Sequence, residues 1–399
     1  MNNLVIICAI LLLVLLFLKV PVYIAVLSAS AVYFIGTPGM NLSIFAQKTI
    51  SGAEGLSLLA IPFFVCAGIF MNYTGVTKRI MNCCEVLTAR MPGGLAQVNI
   101  LLSTLMGGLS GSSLADAAMQ CKMLVPTMES KGYSKSFSTV ITAASGMVVP
   151  LIPPGVGLII YGCINNISIG KLFIAGIGPG IVLCVTLMIF THFLSKKRGY
   201  LPSRTTKIPV SEKIAAVRPA FLPLLLPIII IGGVRIGVFT ASEAGTVAIV
   251  YAVLLGLLYK ELTLKNVMQG CKETVTTTAS IMLIVAAATC FSWILTKEQI
   301  PQQFSQWMIS NIHNKYVFLI MVNIFLLIVG MFIEGNASMI VLAPLLHPVA
   351  MAYGIDDIHF AMVYIFNCTI GAFTPPMGTL MFVSCGITKC PTKDFIKEA

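Results

Sequence analysis

The chain has 399 residues, of which 57% are hydrophobic and only 10% are charged, and its mean hydropathy is +0.96. Soluble domains carry about 25% charged residues, and several apolar runs here approach the roughly 20 residues needed to cross a bilayer. The composition therefore excludes a soluble multidomain protein and predicts an all-α polytopic membrane protein.

The net charge of +11 is concentrated in one segment, residues 196–218. Seven basic residues lie there beside a single acid, Glu212: Lys196, Lys197, Arg198, Arg204, Lys207, Lys213 and Arg218. Loops rich in Lys and Arg face the cytoplasm. The charge thus predicts a cytoplasmic loop at 196–218 rather than a nucleic-acid partner.

The first half, residues 1–195, begins with apolar runs separated by Pro and Gly, which punctuate helices. The run at 4–18 has no basic region before it and no clean cleavage site, so we expect a retained helix rather than a signal peptide. The predicted segments are helices 4–18 and 21–36, a connection over 37–56, helix 57–73 and an amphipathic helix 76–92 along the membrane interface.

Residues 94–128 are apolar at both ends but have a Gly- and Ser-rich centre at 107–113. Irregular backbone is tolerated at membrane depth only where it is buried in protein or lines a cavity. This segment is therefore predicted to be a re-entrant hairpin with the Gly/Ser run at its tip. A helix broken at Pro153-Pro154 follows over 133–166, with its two parts at 133–151 and 155–166, and then a spanning helix over 172–195.

The second half, residues 219–399, repeats this pattern at an offset of 222. The shift carries Gly108 to Gly330, Ala115 to Ala337, Pro126 to Pro348, Gly132 to Gly354 and Pro153-Pro154 to Pro375-Pro376. The predicted segments are helices 219–236, 240–258 and 281–296, an amphipathic stretch 299–312, a hairpin 316–353 with its tip at 330–338, and a helix over 358–388 broken into 358–373 and 377–388. The counterpart of helix 172–195 would extend past Ala399, so we expect either that this last helix is missing or that the repeat is not complete.

The two halves are predicted to have opposite orientations in the membrane. The first half contains five crossings if the hairpin counts as none, which places the uncharged Met1-Asn2-Asn3 outside when 196–218 is inside. Inverted repeats with broken helices are typical of secondary transporters that bind substrate near the bilayer midplane.

Each Pro-Pro pair removes backbone donors and frees carbonyls one turn earlier. These are the carbonyls of Val149 and Pro150 in the first half and of Gly371 and Ala372 in the second. Freed carbonyls need partners, and a dehydrated cation is one. Hydroxyls at Ser110, Ser112, Ser113, Thr369 and Thr374 add oxygen ligands. The helix N-termini at the hairpin tips favour an anion, so the pattern indicates cotransport of a carboxylate with a cation.

Two acids lie within the hairpins, Asp116 and Glu334. Carboxylates inside a membrane domain are functional candidates, with helix capping or hairpin locking as the alternative for each. Asp116 follows Ser112 by four residues, which predicts a shared helix face. Asn336 is the best functional candidate among the asparagines because it lies at the second tip.

Several stretches resemble the large membrane subunit of tripartite ATP-independent periplasmic (TRAP) transporters, in order and spacing from about residue 20 onwards. They are GGLSGSSLADAA, GYSKSF, VPLIPPGVGLIIYG, SIGKLFIAGIGPG, GGVRIGVFTASEAGTVAIVYA and TPPMGTLMFV. The resemblance implies an elevator-type importer in the bacterial inner membrane, carrying an organic acid (a C4-dicarboxylate, sialic acid or another sugar acid) with Na+ and without an organic cofactor. It also implies a small four-helix membrane subunit and a periplasmic substrate-binding protein as partners.

The same resemblance implies a scaffold of helices 4–36 and 219–258 around moving hairpins and broken helices. It assigns a first sodium site to Gly107, Ser110, Val149, Ile152 and Pro154, and a second to Phe332, Gly371, Thr374 and Pro376. Ser110, Ser112 and Asp116 match the substrate-facing hairpin, and Glu334 and Asn336 are the substrate-binding candidates at the other tip. Gly155 stands where the family often has Ser, which removes one hydroxyl.

Two alternatives stay open at this stage. A self-sufficient sodium- or proton-coupled organic-anion transporter would have the same architecture without a binding protein. An intramembrane hydrolase using Ser112 or Ser113 with Asp116 lacks a suitably spaced His or Lys base. The sequence identifies neither the organic acid nor the stoichiometry of the coupling ions, although two similar breaks indicate at least two sodium ions.

Overall fold

The computed structural model describes residues 3–18, 20–204, 206 and 208–399, and every regular element within them is a helix. The predicted all-α class is confirmed. In this part of the chain, seven helices are long and apolar enough to cross a membrane: Leu56–Tyr73, Ile169–Lys197, Val210–Arg235, Ala241–Leu258, Leu264–Lys297, Lys315–Phe332 and Gly335–Ala352. Met1, Asn2, Lys19 and Lys207, on which parts of the predicted topology and basic loop depend, lie outside the described residues.

The first half forms eleven α-helices within the described residues. They are α1 Asn3–Phe17, α2 Val22–Gly36, α3 Leu42–Ser51, α4 Ala60–Tyr73, α5 Val76–Thr88, α6 Gly94–Ser110, α7 Ser113–Met123, α8 Val125–Ser130, α9 Lys135–Gly146, α10 Val156–Asn165 and α11 Ile169–Lys197. The predicted connection 37–56 contains α3, whose N-terminus is capped by the Asn41 side chain accepting from the Ser43 amide at 2.9 Å. The predicted helix 133–151 ends at Gly146, and 147–155 forms turns around the Pro-Pro pair.

The second half contains nine α-helices among its described residues. They are α12 Val210–Arg235, α13 Ala241–Leu258, α14 Leu264–Lys297, α15 Ile300–Asn311, α16 Lys315–Phe332, α17 Gly335–Ala352, α18 Asp357–Phe373, α19 Thr379–Thr388 and α20 Thr392–Glu398. The predicted loop 196–218 is partly wrong, because α12 starts inside it and makes its C-terminal third helical. Similarly, the predicted span 281–296 is only the C-terminal half of α14. The start of α11, Ile169, shifts by 222 to position 391. Helix α20 begins at the next residue, Thr392, so it corresponds to the start of α11.

The offset of 222 also relates the helices of the two halves. Helix α6 ends at Ser110 and α16 at Phe332, 222 residues later. Two helices of the second half have counterparts that are split: α17 corresponds to α7 and α8, and α14 corresponds to α3 and α4 with a 3-10 turn at Leu56–Leu59 between them. Gly52 and Gly55 lie at this split, and the corresponding residues of α14 are Thr274 and Thr277. Since Gly disfavours a helix interior by about 1 kcal/mol relative to Ala, the glycines favour the break.

The hairpins and broken helices of the two halves pack across each other. Helix α9 packs on α6 and α18 on α16, within their own halves. After each Pro-Pro break the contacts cross over: α10 packs on α17 and α19 on α7. The remaining long helices form a second layer in which α4 packs against α13 and α14. Helix α4 also packs on α6, and α14 packs on α17, so the two hairpins face this layer.

Candidate functional site

The tip of the first hairpin packs directly on the first Pro-Pro break. Gly111 adopts a φ of +61° and its carbonyl accepts from the Val156 amide at 3.3 Å. A Cβ atom on Gly107 would lie 3.1 Å from Val149 Cα and 3.3 Å from Ile152 Cβ, and one on Gly111 would lie 2.9 Å from the Pro154 carbonyl oxygen. The small residues at the tip thus allow two backbones to approach closely.

This contact brings together the residues predicted to form the first sodium site. Among the described residues, no hydrogen bond reaches the Val149 carbonyl, and the buried Ser110 hydroxyl has no hydrogen-bond partner. Buried polar groups without partners are rare in proteins. Two oxygens are therefore available to a ligand at this tip.

The second tip approaches its own Pro-Pro break even more closely. A Cβ atom on Gly371 would lie 2.6 Å from Gly330 Cα, so only glycine fits on both sides. The Gly371 carbonyl, predicted to be free, accepts from the Thr374 amide at 3.0 Å, and the Thr374 hydroxyl donates to the Ile370 carbonyl at 2.7 Å. Phe332 ends α16 at this tip and Pro376 belongs to the break itself. The predicted residues are thus adjacent, but the Gly371 carbonyl and the Thr374 hydroxyl already have partners.

A cavity of about 450 Å³ lies between the two tips and the layer formed by α4 and α14. Its walls include the predicted substrate residues Ser110, Ser112, Glu334 and Asn336. The N-termini of α7 and α17 both open onto it, because Ser112 to Ala115 and Glu334 to Asn336 line it. Among the described residues, Glu334 is the one charged side chain in the lining, and no Lys, Arg or His contributes.

The two helix N-termini at the cavity are capped by side chains. The Glu334 carboxylate accepts from the Ala337 amide at 3.0 Å, and the Ser112 hydroxyl accepts from the Ala115 amide at 3.4 Å. The capping alternative therefore holds for Glu334, and its position in the cavity wall is compatible with substrate contact as well. Each cap occupies one amide of the first helical turn, and a helix N-terminus carries four amides without an intrahelical partner.

The structure does not support Asp116 as a substrate-facing residue. Its side chain is only 2% exposed and does not line the cavity. The prediction assumed that Ser112 and Asp116 share a helix face, but Ser112 is the N-cap of α7 and has extended backbone, with φ −122° and ψ 111°. The i, i+4 rule therefore does not apply, and Asp116 points into the interior between α6, α7 and α9.

Three cavity residues on the opposite wall were not predicted. Asn72 at the end of α4 and Thr277 and Ser280 on α14 line the cavity across from the hairpin tips. Asn72 lies at the end of the predicted helix 57–73, and Thr277 and Ser280 lie just before the predicted span 281–296. The available signal was their polarity next to long apolar runs, but only the packing of α14 on α4 places them at the cavity.

Comparisons with known proteins agree on one family. Residues 9–399 match the family described as the DctM component of the tripartite ATP-independent periplasmic transporter. The chain is 41% identical over 378 residues to the sialic acid TRAP transporter large permease protein SiaM of Vibrio cholerae, covering 94% of this chain and 88% of that protein. It is 36% identical over 378 residues to the 2,3-diketo-L-gulonate TRAP transporter large permease protein YiaN of Escherichia coli, with the same coverage of each.

The fold resembles that of a solved transporter of distant sequence. The crystal structure of the YdaH transporter of Alcanivorax borkumensis aligns with a TM-score of 0.61 at 12% identity, covering 90% of this chain and 84% of that one. At this identity the likeness concerns the fold alone.

Proposed function

This chain belongs to the DctM component family of tripartite ATP-independent periplasmic transporters, and from that membership we propose that it imports a small organic acid together with sodium ions. As a large permease it is a membrane-bound transporter subunit rather than an enzyme, so the hydrolase alternative is rejected. Its Ser112 hydroxyl caps a helix, and Asp116 points away from the cavity.

The observation that carries the proposal is the cavity shared by the two hairpin tips. Its volume of about 450 Å³ lies within the range of small-molecule sites. Two helix N-termini supply amides for a carboxylate, and hydroxyl and amide side chains supply partners for the hydroxyls of a sugar acid. The relatives from Vibrio cholerae and Escherichia coli are named for sialic acid and 2,3-diketo-L-gulonate, both of which are carboxylic acids. Sialic acid, other sugar acids and C4-dicarboxylates are the proposed substrate class.

Sodium is the proposed coupling ion because the tips supply oxygen ligands and little else. The first site would use the Val149 carbonyl and the Ser110 hydroxyl, with the backbone at Gly107, Ile152 and Pro154. The second would use Gly371, Thr374 and Pro376 with the backbone near Phe332. A bound cation beside the cavity would also offset the charge of an incoming carboxylate, which ties the two binding events together.

We further propose an elevator movement with the hairpins and broken helices as the moving body. The scaffold would comprise 4–36 and 219–258 together with α4 and α14. Each body supplies one wall of the cavity. A displacement of one wall past the other would therefore open the cavity to alternate sides of the inner membrane, with 196–218 on the cytoplasmic side.

The proposed partners are a small four-helix membrane subunit and a periplasmic substrate-binding protein. The alternative, a self-sufficient carrier, differs only in this requirement. Reconstitution in proteoliposomes decides between them: the permease and small subunit are tested for uptake of labelled organic acids with and without the binding protein, in a sodium or a choline gradient. Uptake that needs both sodium and the binding protein is expected. Uptake without the binding protein would establish the alternative, and uptake of no organic acid in any combination would overturn the proposal.

A further inference from the structure

A closed polar network lies behind the first hairpin tip. The Asp116 Oδ2 atom accepts from the Ser103 hydroxyl at 2.7 Å and from the Gln120 amide at 2.8 Å. The Ser103 hydroxyl lies 2.9 Å from Ser145 Oγ, and Ser145 also donates towards the Asn99 side-chain oxygen at 2.9 Å. All five side chains are buried. The network therefore joins α6, α7 and α9 inside the packed hairpin.

This network has more hydrogen-bond acceptor atoms than O–H and N–H groups that donate to them. The single Ser103 proton is shared between Asp116 and Ser145, and the Gln120 amide group donates to both Asp116 and Ser103. Among the described residues, Asp116 Oδ1 and Gln120 Oε1 are buried and have no hydrogen-bond partner. Both atoms are acceptors, so a proton, a hydrogen-bond donor or a cation satisfies them.

The carboxylate also has no cationic side chain to pair with. The ion pairs of the described residues join Lys135 to Glu129, Arg198 to Glu398 and Arg204 to Glu212, and none involves Asp116. An isolated buried carboxylate is strongly unfavourable unless it is paired or neutralised. No cluster of His, Cys, Asp or Glu in this part of the chain fits a multivalent metal. A single monovalent charge fits best.

We propose that Asp116, Gln120 and Ser103 form a third cation site, separate from the two hairpin-tip sites, which binds one proton or one sodium ion and thereby favours substrate binding. Asp116 lies in the first turn of α7, and the residues just before it, Ser112 to Ala115, line the cavity. An ionised Asp116 repels an anion at this helix N-terminus, whereas a neutralised Asp116 does not. The site thus couples one extra positive charge to the substrate anion; this inference rests on the proposed function.

The surroundings of Asp116 define which groups must be controlled in a test. Helix α6 contributes Ser103 and Asn99, α9 contributes Ser145, and α7 contributes Gln120 and the thiol of Cys121. Helix α19, which packs on α7, contributes Ser384 and the thiol of Cys385. Among the described residues, Cys121 is the titratable group next to Asp116, and Cys385 in turn lies next to Cys121. Profiles are therefore repeated in a background with Cys121→Ala and Cys385→Ala.

The test measures thermal unfolding of the purified permease with its small subunit, without substrate. Midpoints are recorded against sodium concentration at fixed ionic strength with choline, and against pH from about 5.5 to 8.5 in choline alone. This range lies above the ordinary Asp pKa of about 3.9, so exposed carboxylates do not titrate in it. Asp116→Asn replaces the carboxylate by a group of the same shape that brings its own N–H donors. Asp394→Asn is the matched control because it removes the same charge at an exposed position of α20.

The sodium series and the pH series together identify which ion the site binds. If the site takes sodium, Asp116→Asn lowers the slope of the midpoint against the logarithm of sodium concentration by about a third, from three bound ions to two. If the site takes a proton, the wild-type protein gains stability as the pH falls and Asp116→Asn loses this dependence. A folded Asp116→Asn protein with the sodium slope and pH profile of wild type and of Asp394→Asn overturns the inference.

A second variant keeps the inference testable if Asp116→Asn does not fold. Ser103→Ala removes an oxygen of the site and one donor to the carboxylate but leaves Asp116 in place. A weaker sodium dependence is expected if the site takes sodium, and a pH dependence displaced to higher pH if it takes a proton. Profiles identical to wild type overturn the inference. Because no substrate is present, these outcomes are independent of whether the organic-acid uptake experiment succeeds.

Discussion

The two hairpin tips are repeats of one design, yet they differ in how their oxygens are occupied. At the first tip the Val149 carbonyl and the Ser110 hydroxyl have no hydrogen-bond partner among the described residues. At the second, the Gly371 carbonyl accepts from the Thr374 amide, and the Thr374 hydroxyl donates to a backbone carbonyl. Both halves keep the close approach between the hairpin tip and the Pro-Pro break, but the hydrogen bonding of their polar groups differs. The first tip is therefore the more open ligand site in this conformation.

The regions behind the tips differ further. The offset carries Asp116 to Ser338, Gln120 to Leu342 and Ser103 to Phe325. In place of the acidic network, Ser338 pairs with the hydroxyl of Tyr364 at 3.2 Å. The buried carboxylate of Asp116 thus has no counterpart at the corresponding position of the second half. The hairpin and the broken helix are thus present in both halves, whereas the carboxylate network around Asp116 belongs to the first half.

The largest expected effect tests the close approach at the second tip. Gly371→Ala places a Cβ atom 2.6 Å from Gly330 Cα, and backbone cannot move aside as a flexible side chain does. Overpacking of this kind costs about 1–3 kcal/mol, so we expect a markedly lower unfolding midpoint. Gly386→Ala on α19 is the matched control, because its Cβ atom would meet nothing within 4 Å. Equal midpoints for the two variants would show that the tips do not need this approach.

The second prediction compares the two sodium sites. When the sodium concentration is 100 times the Kd of a site, sodium binding stabilises the folded protein by about 2.7 kcal/mol. Ser110→Ala is expected to reduce the sodium-dependent rise in the unfolding midpoint while leaving the midpoint in choline unchanged, since its hydroxyl has no partner to lose. Thr374→Ala is expected to lower both, because it also removes the bond to the Ile370 carbonyl, worth about 1 kcal/mol.

The opposite ranking in choline would contradict this comparison. If Ser110→Ala were the more destabilising substitution without sodium, its hydroxyl would serve the fold rather than an ion. A rise of the same size in potassium as in sodium would remove the ion specificity on which the proposal depends.

The third prediction concerns the caps of the two hairpin helices. Glu334→Ala removes the 3.0 Å acceptor of the Ala337 amide, and loss of such a cap costs about 1 kcal/mol. Ser112→Ala removes a longer, 3.4 Å contact and is expected to cost less. Glu334→Gln retains an acceptor oxygen and is expected to restore most of the stability. Urea unfolding of the three variants measures the order, and a Glu334→Gln protein as unstable as Glu334→Ala would mean that the charge rather than the cap matters.

The smallest expected effect is on the opposite wall of the cavity. Asn72→Ala and Ser280→Ala each remove a polar side chain that faces the hairpin tips. A lost hydrogen bond to substrate is worth about 1 kcal/mol, or roughly a fivefold rise in the KM for uptake. The sodium-dependent stabilisation is expected to stay the same because neither residue belongs to the tips. A loss of sodium dependence in either variant would place the ion sites nearer the scaffold than proposed.

Individual residues show how far the sequence can predict the site. Ser110, Ser112, Glu334 and Asn336 were placed at the cavity from their positions at the hairpin tips, because a Gly/Ser-rich break in an apolar segment has to be buried or line a cavity. Asp116 was misplaced because a cap residue does not follow the helical repeat. Thr277 and Ser280 were missed because nothing local indicates which face of a 34-residue helix meets a hairpin tip.

The sequence by itself determined the helical class, the two halves with their offset of 222 and the positions of both Pro-Pro breaks. These features follow from composition, hydropathy and the local effects of Gly and Pro, which act within a few residues. Only the tertiary structure decided that α10 packs on the hairpin of the other half, that Asp116 faces the interior and that α4 and α14 complete the cavity. Such choices depend on the packing of surfaces far apart in the chain, where the complementary shapes of whole helices, rather than local residue preferences, set the lowest free energy.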